Sequence, residues 1–328
     1  MSGQSLVRSV DHGEGEVMAL SQFYTSSASV VTYATQRGTI HTLDLRTARE
    51  PFALRLFPET GSVTDIQVGA DQNWLVAGTR GGFMSLFDLR YHNCVKLWRH
   101  GRASPIKRLS AVLGAGTSKA SSRPLVFAGC DSDETALFDL ASGGCLQCYR
   151  VLDQSLTYVD RSALPKSSLS IPQLEDVAIP SKHSSRLIPS YDLMRRSRAQ
   201  TGYVVNAVVG NINAQGSSFL LTGSDSQVRC WNLNSTSKSI CVSGLSPNQP
   251  PPSFEQVKVG GNSRLILCRQ PSAPPSNMVE SSKLPQYRRQ GVVGCDKGHT
   301  DSILDLKIAK SPAVVLSASR DNTIKLWA

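Results

Sequence analysis

Short apolar runs recur along the chain in pairs, and a cluster of Gly, Asp, Asn or Ser separates the two runs of each pair. β-Branched and apolar residues in such runs, joined by residues that tolerate tight turns, predict β-hairpins. In each pair the second run closes on a large apolar or aromatic side chain. Five such hairpins occur, at residues 30–45, 74–89, 125–140, 219–233 and 313–327.

A further apolar run precedes each hairpin, so each unit supplies at least three strands, and the link to the next unit offers a fourth. The residue after the closing side chain moves from Asp44 to Asp88 and then to Asp139. Four strands in a repeat of about 40 to 45 residues are typical of WD-repeat β-propeller blades. The chain therefore resembles the WD-repeat family, and we predict an all-β propeller. Its five visible blades are expected near 16–56, 61–98, 104–150, 201–270 and 297–328, after an amino-terminal segment, 1–15.

The last unit carries the most specific part of this resemblance. In the WD-repeat family a His before the first strand, a Ser or Thr, an Asp in the tight turn and a Trp form a hydrogen-bonded tetrad. The matching residues here are His299, Ser317, Asp321 and Trp327. A buried indole N–H and an imidazole both need partners, which a hydroxyl and a carboxylate supply.

The other units depart from this pattern. Leu43, Phe87 and Phe138 stand where the family has Trp, and we expect apolar packing to hold those blades. The fourth unit keeps Asp225 and Trp231 but lacks the Gly-His pair. Asp44, Asp88 and Asp139 are predicted to close the first three blades.

Two long insertions interrupt the period. Residues 152–200 are rich in Ser and Pro, with a basic distal half, and are expected to form an exposed loop that is either functional or disordered. Residues 271–296 form the second insertion. Two candidate strands precede it, between 254 and 268, and they either complete the fourth unit or belong to an inserted hairpin.

Composition limits the function classes. The formal charge of +10 permits an acidic partner or a contact with an anionic membrane surface. No apolar run approaches the roughly 20 residues of a membrane helix, so we expect a cytoplasmic protein. The eight scattered cysteines include one CxxC, Cys145 and Cys148, without the further ligands of a zinc site. No metal or cofactor is expected.

The order of units, insertions and terminal motif is similar to the carboxyl-terminal WD propeller of the large regulatory, protein-kinase-like subunits of class III phosphatidylinositol 3-kinase complexes. The resemblance implies the last five blades of a seven-bladed ring, and a chain that continues upstream. It also implies a scaffold in endosomal sorting and autophagy, peripheral on those membranes. Its expected partners are a lipid kinase catalytic subunit and a coiled-coil regulatory subunit.

Two other function classes were weighed. An enzyme is disfavoured because the sequence has no kinase signature, nucleophile elbow, phosphate loop or HExxH motif. A basic WD-repeat adaptor of a chromatin or RNA-processing complex is the alternative that the charge permits. Nucleic acid is not an expected partner, because stacking aromatics are not interleaved with Lys and Arg.

Overall fold

The computed structural model describes fourteen stretches of the chain: residues 13–24, 29–46, 50–69, 71–112, 124–130, 134–152, 169–180, 205–212, 218–224, 226–242, 251–261, 263–269, 298–310 and 313–327. Within them the regular structure is β, apart from two short 3-10 turns at Pro58–Thr60 and Thr236–Lys238. The all-β class predicted from the sequence is confirmed. No helix in these stretches is long and apolar enough to cross a membrane. Residues 1–12 of the amino-terminal segment 1–15, most of the insertion at 152–200 and all of the insertion at 271–296 lie outside the described residues.

In chain order the strands are β1 (Val17–Tyr24), β2 (Ser29–Thr35), β3 (Thr39–Asp44), β4 (Ala53–Arg55), β5 (Val63–Val68), β6 (Trp74–Thr79), β7 (Phe83–Asp88), β8 (Asn93–His100), β9 (Ile106–Ala111), β10 (Leu125–Cys130), β11 (Glu134–Asp139), β12 (Cys145–Leu152), β13 (Leu174–Asp176), β14 (Val205–Ile212), β15 (Ser218–Ser224), β16 (Gln227–Asn232), β17 (Ile240–Cys241), β18 (Ser253–Lys258), β19 (Arg264–Arg269), β20 (Ile303–Lys310), β21 (Ala313–Ser319) and β22 (Ile324–Trp327).

The chain divides into two compact units, and the first contains residues up to Ala111 together with residues from Gln173 to Thr201. Its first sheet has the order β1-β2-β3-β4, and its second sheet has the order β13-β8-β7-β6-β5. Neighbours within each sheet are antiparallel. The two sheets share one apolar core, to which Ala34, Ile66 and Phe87 contribute. Strand β9 follows at the end of this unit.

The second unit contains the remaining three sheets. Strands β10, β11 and β12 form the antiparallel centre of the third sheet, while β14-β15-β16-β17 form the fourth and β20-β21-β22 the fifth. Apolar side chains fill the space between neighbouring sheets. Leu220 and Trp231 of the fourth sheet pack with Tyr149 of the third, and Leu221 and Val228 pack with the fifth.

The structure assigns the two candidate strands between 254 and 268 to an inserted hairpin. Strands β18 and β19 pair with each other, and β19 then pairs with β12 in parallel. The hairpin therefore extends the third sheet, whereas the predicted blade at 201–270 placed it with the fourth. Sequence period alone could not find this pairing, because the partner strand β12 lies more than a hundred residues earlier.

Part of the first insertion is also ordered, where an exposed loop was expected. Strand β13 adds to the outer edge of β8, with Leu174 opposite His100. Just before it, the carbonyl of Ser170 accepts a hydrogen bond of 2.9 Å from Arg150. Arg150 in turn forms a buried ion pair with Glu134. The buried guanidinium thus fixes the start of the ordered segment to the third sheet.

A register shift recurs near the start of the first strand in four sheets. The shift falls after Val17, Val63, Val205 and Ile303. The next residue of the first strand has no partner on the second strand, and pairing resumes one residue later. The position where pairing resumes is always opposite Ala or Gly on the second strand. These small residues are Ala34, Gly78, Gly223 and Ala318.

The small residues allow neighbouring sheets to approach closely. A Cβ atom on Gly78 would lie 2.6 Å from Cγ2 of Ile106, and a Cβ atom on Gly223 would lie 2.6 Å from Cγ2 of Ile303. Both isoleucines are fully buried. The β-branched residue that opens one repeat therefore packs on the small residue in the second strand of the repeat before it.

Candidate functional site: the hydrogen-bonded network of the fifth repeat

The structure brings the four predicted tetrad residues into one chain of hydrogen bonds. The indole Nε1 of Trp327 donates to Ser317 Oγ over 2.8 Å, and His299 Nε2 lies 2.6 Å from the same oxygen. His299 Nδ1 lies 3.0 Å from Asp321 Oδ2. If the Ser317 hydroxyl accepts from Trp327 and donates to His299 Nε2, the proton of the imidazole is on Nδ1 and faces the Asp321 carboxylate. Every polar atom of the network then has a hydrogen-bond partner.

Asp321 holds the turn between β21 and β22. Its carboxylate accepts from the backbone N–H groups of Thr300, at 2.9 Å, and Thr323, at 3.0 Å. The Thr323 hydroxyl donates to it as well, over 2.6 Å. Burial raises the pKa of Asp321, but hydrogen bonds from Thr323, Thr300 and His299 outweigh burial and hold that pKa well below its ordinary value.

Ser317, His299 and Asp321 are hydrogen-bonded to one another in the order found in catalytic triads. Here, however, the three residues stabilise the fold. Ser317 is fully buried, and its oxygen already accepts the Trp327 N–H. A nucleophile needs an oxygen that a substrate can approach. The arrangement instead ties the segment before β20 to the β21–β22 turn, where Lys325 Nζ adds a 2.7 Å bond to the Gly298 carbonyl.

The fourth repeat uses half of this network and replaces the rest by aromatic packing. Trp231 Nε1 donates to Thr222 Oγ1 over 2.8 Å, as Trp327 does to Ser317. Tyr149 and Phe254 approach Trp231 edge-on, with ring centroids 5.4 and 5.3 Å away. Phe254 lies on β18, so the inserted hairpin covers the ring. Asp225, also singled out in this repeat, lies outside the described residues.

In the first three repeats the Trp and the Ser or Thr that accepts from it are both replaced. Register places Tyr33, Ala77 and Ala128 where the fifth repeat has Ser317, and Leu43, Phe87 and Phe138 where it has Trp327. All six side chains are buried. A Trp at the closing position and a Ser or Thr acceptor therefore occur together in the last two repeats and are both absent from the first three, which the two sequence positions show.

The predicted blade-closing carboxylates act as caps of the turn that follows the third strand. Asp44, Asp88 and Asp139 each accept a hydrogen bond from the backbone N–H two residues later, at 2.8–2.9 Å. Asn232 does the same at 3.0 Å. This contact explains the choice of Asp or Asn, whose short side chains cap their own backbone. Asp88 also pairs with the Arg90 side chain, whose hydrogen bond lowers the pKa of Asp88 to about 2.

The seven cysteines that the structure describes are free thiols. Burial raises the pKa of Cys94 to about 11 and that of Cys145 to about 12. Cys148, the second member of the CxxC, is fully buried and its pKa is raised well above the ordinary value for the same reason. A thiol with a raised pKa holds its proton at neutral pH and is a poor nucleophile.

We expect the two tryptophans to contribute unequally to stability. Trp231 is 1% exposed and Trp327 is only half-buried, so Trp231→Ala should lower the free energy of unfolding by about 3–5 kcal/mol and Trp327→Ala by less. Trp231→Phe keeps most of the ring and should cost about 1 kcal/mol, for the lost bond to Thr222. Urea unfolding of the three variants measures this order, and a larger loss for Trp327→Ala would contradict it.

The depressed pKa of Asp321 predicts an acid-sensitive contribution to stability. The carboxylate is more acidic in the folded chain than in the unfolded chain, so its contribution is complete above about pH 5 and is lost as pH falls below about 4. Asp321→Asn should destabilise the chain at neutral pH, and the difference from the unaltered chain should shrink in acid. Urea midpoints measured against pH test this, with the exposed Asp71→Asn as the charge-loss control. A constant difference would refute the prediction.

Comparison with known proteins agrees with this geometry. The family model "WD domain, G-beta repeat" matches residues 194–232 and 291–328, which contain the two Trp-bearing third strands. Over 99% of its length the chain is 22% identical to the serine/threonine-protein kinase VPS15 of Arabidopsis thaliana, of which it spans 22%. It is 32% identical over 39% of its length to the probable serine/threonine-protein kinase vps15 of Dictyostelium discoideum, spanning 6% of it.

Among solved structures, the WD40 β-propeller domain of Doa1 matches 95% of this chain and 63% of its own, with a TM-score of 0.48 and 12% identity. The chain spans less than a quarter of the two VPS15 relatives, and the match concerns their WD region. The WD-repeat propeller is a non-catalytic fold. The repeats and their hydrogen-bonded network are those of a WD-repeat β-propeller fold, and the chain is similar to the WD region of the two VPS15 relatives.

Proposed function

We propose that the chain is the propeller part of a regulatory subunit of a class III phosphatidylinositol 3-kinase complex. In this role it is a scaffold for endosomal sorting and autophagy. The observation that carries the proposal is the match to VPS15 along 99% of the chain, because it extends beyond the two repeats that match the WD-domain family model. The order of units and insertions in the sequence supports the same subunit family.

The capped turns and the inserted hairpin suit a platform whose loops are ordered before a partner binds. Turns after the third strands are capped by Asp44, Asp88, Asp139 and Asn232. The inserted hairpin of β18 and β19 is built into the third sheet. Pre-ordered loops lose little entropy when a partner binds, which favours stable protein–protein contacts. The proposed partners are the lipid kinase catalytic subunit and the coiled-coil regulatory subunit.

Co-expression with those two subunits tests the proposal. We expect the unaltered chain to co-elute with both subunits as one species in size-exclusion chromatography. Trp231→Ala, which removes a buried ring of the fourth repeat, should weaken co-elution, whereas the matched Trp231→Phe should preserve it. A folded chain that elutes apart from both subunits would overturn the proposal. Salt-sensitive binding to DNA without co-elution would favour the chromatin or RNA-processing alternative.

Localisation at endosomal or autophagic membranes is part of the same proposal. The formal charge of +10 supports a peripheral contact with an anionic lipid surface. Flotation with phosphatidylserine-containing vesicles should recover the assembled complex more efficiently than flotation with neutral vesicles. Equal recovery from both would remove charge as the basis of the contact.

A further inference from the structure

The outer edge of β8 already holds a short extended segment from elsewhere in the chain. Leu174–Asp176 pair antiparallel with His100, Arg99 and Trp98 as strand β13. Two backbone bonds flank the strand: Gly101 N–H donates to Gln173 O, and Val177 N–H donates to Leu97 O, both at 2.9 Å. Pro172 and Pro180 bracket the segment and limit further pairing, because proline has no N–H to donate.

This segment is bound shallowly. Leu174 is half-buried and Glu175 and Asp176 are exposed, whereas Leu97 and Trp98 of β8 are buried. Burial of apolar surface supplies most of the free energy that holds a strand in place. With little such burial, β13 is held mainly by backbone hydrogen bonds, which a competing extended segment can reproduce.

The edge also has features that select what binds. Gly101 leaves room for the segment, since a Cβ atom there would lie 3.3 Å from both the Gln173 carbonyl oxygen and a Glu175 carboxylate oxygen. Arg99, opposite Glu175, is held over the Phe83 ring at 5.3 Å. Directly opposite positions of an antiparallel pair lie close together, so an acidic residue opposite Arg99 on an added strand is favoured over a basic one.

Two exposed aliphatic residues lie just beyond the paired residues. The bond from Val177 to Leu97 continues the antiparallel pairing by one residue, and the same register carried two residues further would bring Ile179 opposite Val95. Val95 is 43% exposed and Ile179 is 41% exposed. The edge of β8 thus offers its backbone groups together with the side chains of Arg99 and Val95. The corresponding side chains of the segment are Glu175 and, four residues later, Ile179.

We propose that the outer edge of β8, from Val95 to Gly101, is a strand-addition site for an extended segment of a partner protein. The segment would carry an acidic residue and, four positions later, an aliphatic residue. The chain's own residues 173–179 occupy the edge when no partner is bound and are displaced by it. This goes beyond the proposed function and does not depend on membership of the kinase complex.

The chain's own segment is the probe that tests this site. A fluorescent peptide of residues 171–180 is titrated into the full chain and into a variant in which residues 173–179 are replaced by a Gly-Ser linker of equal length. We expect saturable binding to the variant and at least about tenfold weaker binding to the unaltered chain, where the tethered segment competes at high effective concentration. Equal affinity for both chains, or binding to neither, would overturn the proposal.

Matched substitutions separate edge recognition from nonspecific binding. Gly101→Val in the linker variant should abolish peptide binding, because its side chain would collide with the added strand. A Glu175→Lys peptide should bind more weakly, because its charge would face Arg99. Thermal melts that match the unaltered chain show that each variant is folded. Unchanged binding by both substitutions would contradict the proposed register.

Hydrogen exchange of the unaltered chain is a second readout that does not require any variant to fold. The Gly101 amide donates to the segment, and the Val177 amide of the segment donates to β8. Both amides should therefore exchange at least about tenfold faster than amides bonded between β7 and β8. If all of them exchange equally slowly, the segment is a permanent strand and the edge is not available to a partner.

Discussion

The contact between a β-branched residue that opens one repeat and a glycine in the repeat before it is the constraint on which the sheets depend. Ile106 fills the space beside Gly78, and Ile303 fills the space beside Gly223. A Cβ atom at either glycine would overlap the isoleucine, so the sheets could not approach at their present distance. The register shift near the start of the first strands falls at the same glycines, because pairing resumes opposite Gly78 and Gly223. Apolar cores then extend from this point between neighbouring sheets.

The polar network of the fifth repeat is an addition to this packing. Repeats with Phe87 or Phe138 at the closing position fold around a buried ring without a hydrogen-bonded indole. The fourth repeat retains Trp231 and Thr222 but supports the indole with Tyr149 and Phe254. The fifth repeat adds His299 and Asp321 to the same indole–hydroxyl pair. The family model matches these last two repeats, which are the two described repeats that carry the Trp.

Local pattern predicted the hairpins well, because strand, turn and closing residues lie within about 20 residues of one another. The tetrad residues could be chosen by their spacing for the same reason. Pairing between distant segments left no such signal. The β18–β19 hairpin joins β12 in parallel, and residues 174–176 join β8, across gaps that each contain the strands of another repeat. Sequence reasoning identified Asp as the residue after the closing side chain, whereas its capping of the next turn emerged from the hydrogen bonds at Asp44 and Asp88.

A double-mutant cycle between Gly223 and Ile303 tests the central claim most directly, namely that this contact couples neighbouring repeats. Gly223→Val alone should lower the free energy of unfolding by about 1–3 kcal/mol through overpacking, and Ile303→Ala alone should lower it by about 2–5 kcal/mol through a cavity. Combined, the two substitutions should cost clearly less than their sum, because the smaller residue 303 makes room for the larger residue 223. Strictly additive losses would show that the two positions do not contact each other and would contradict the account.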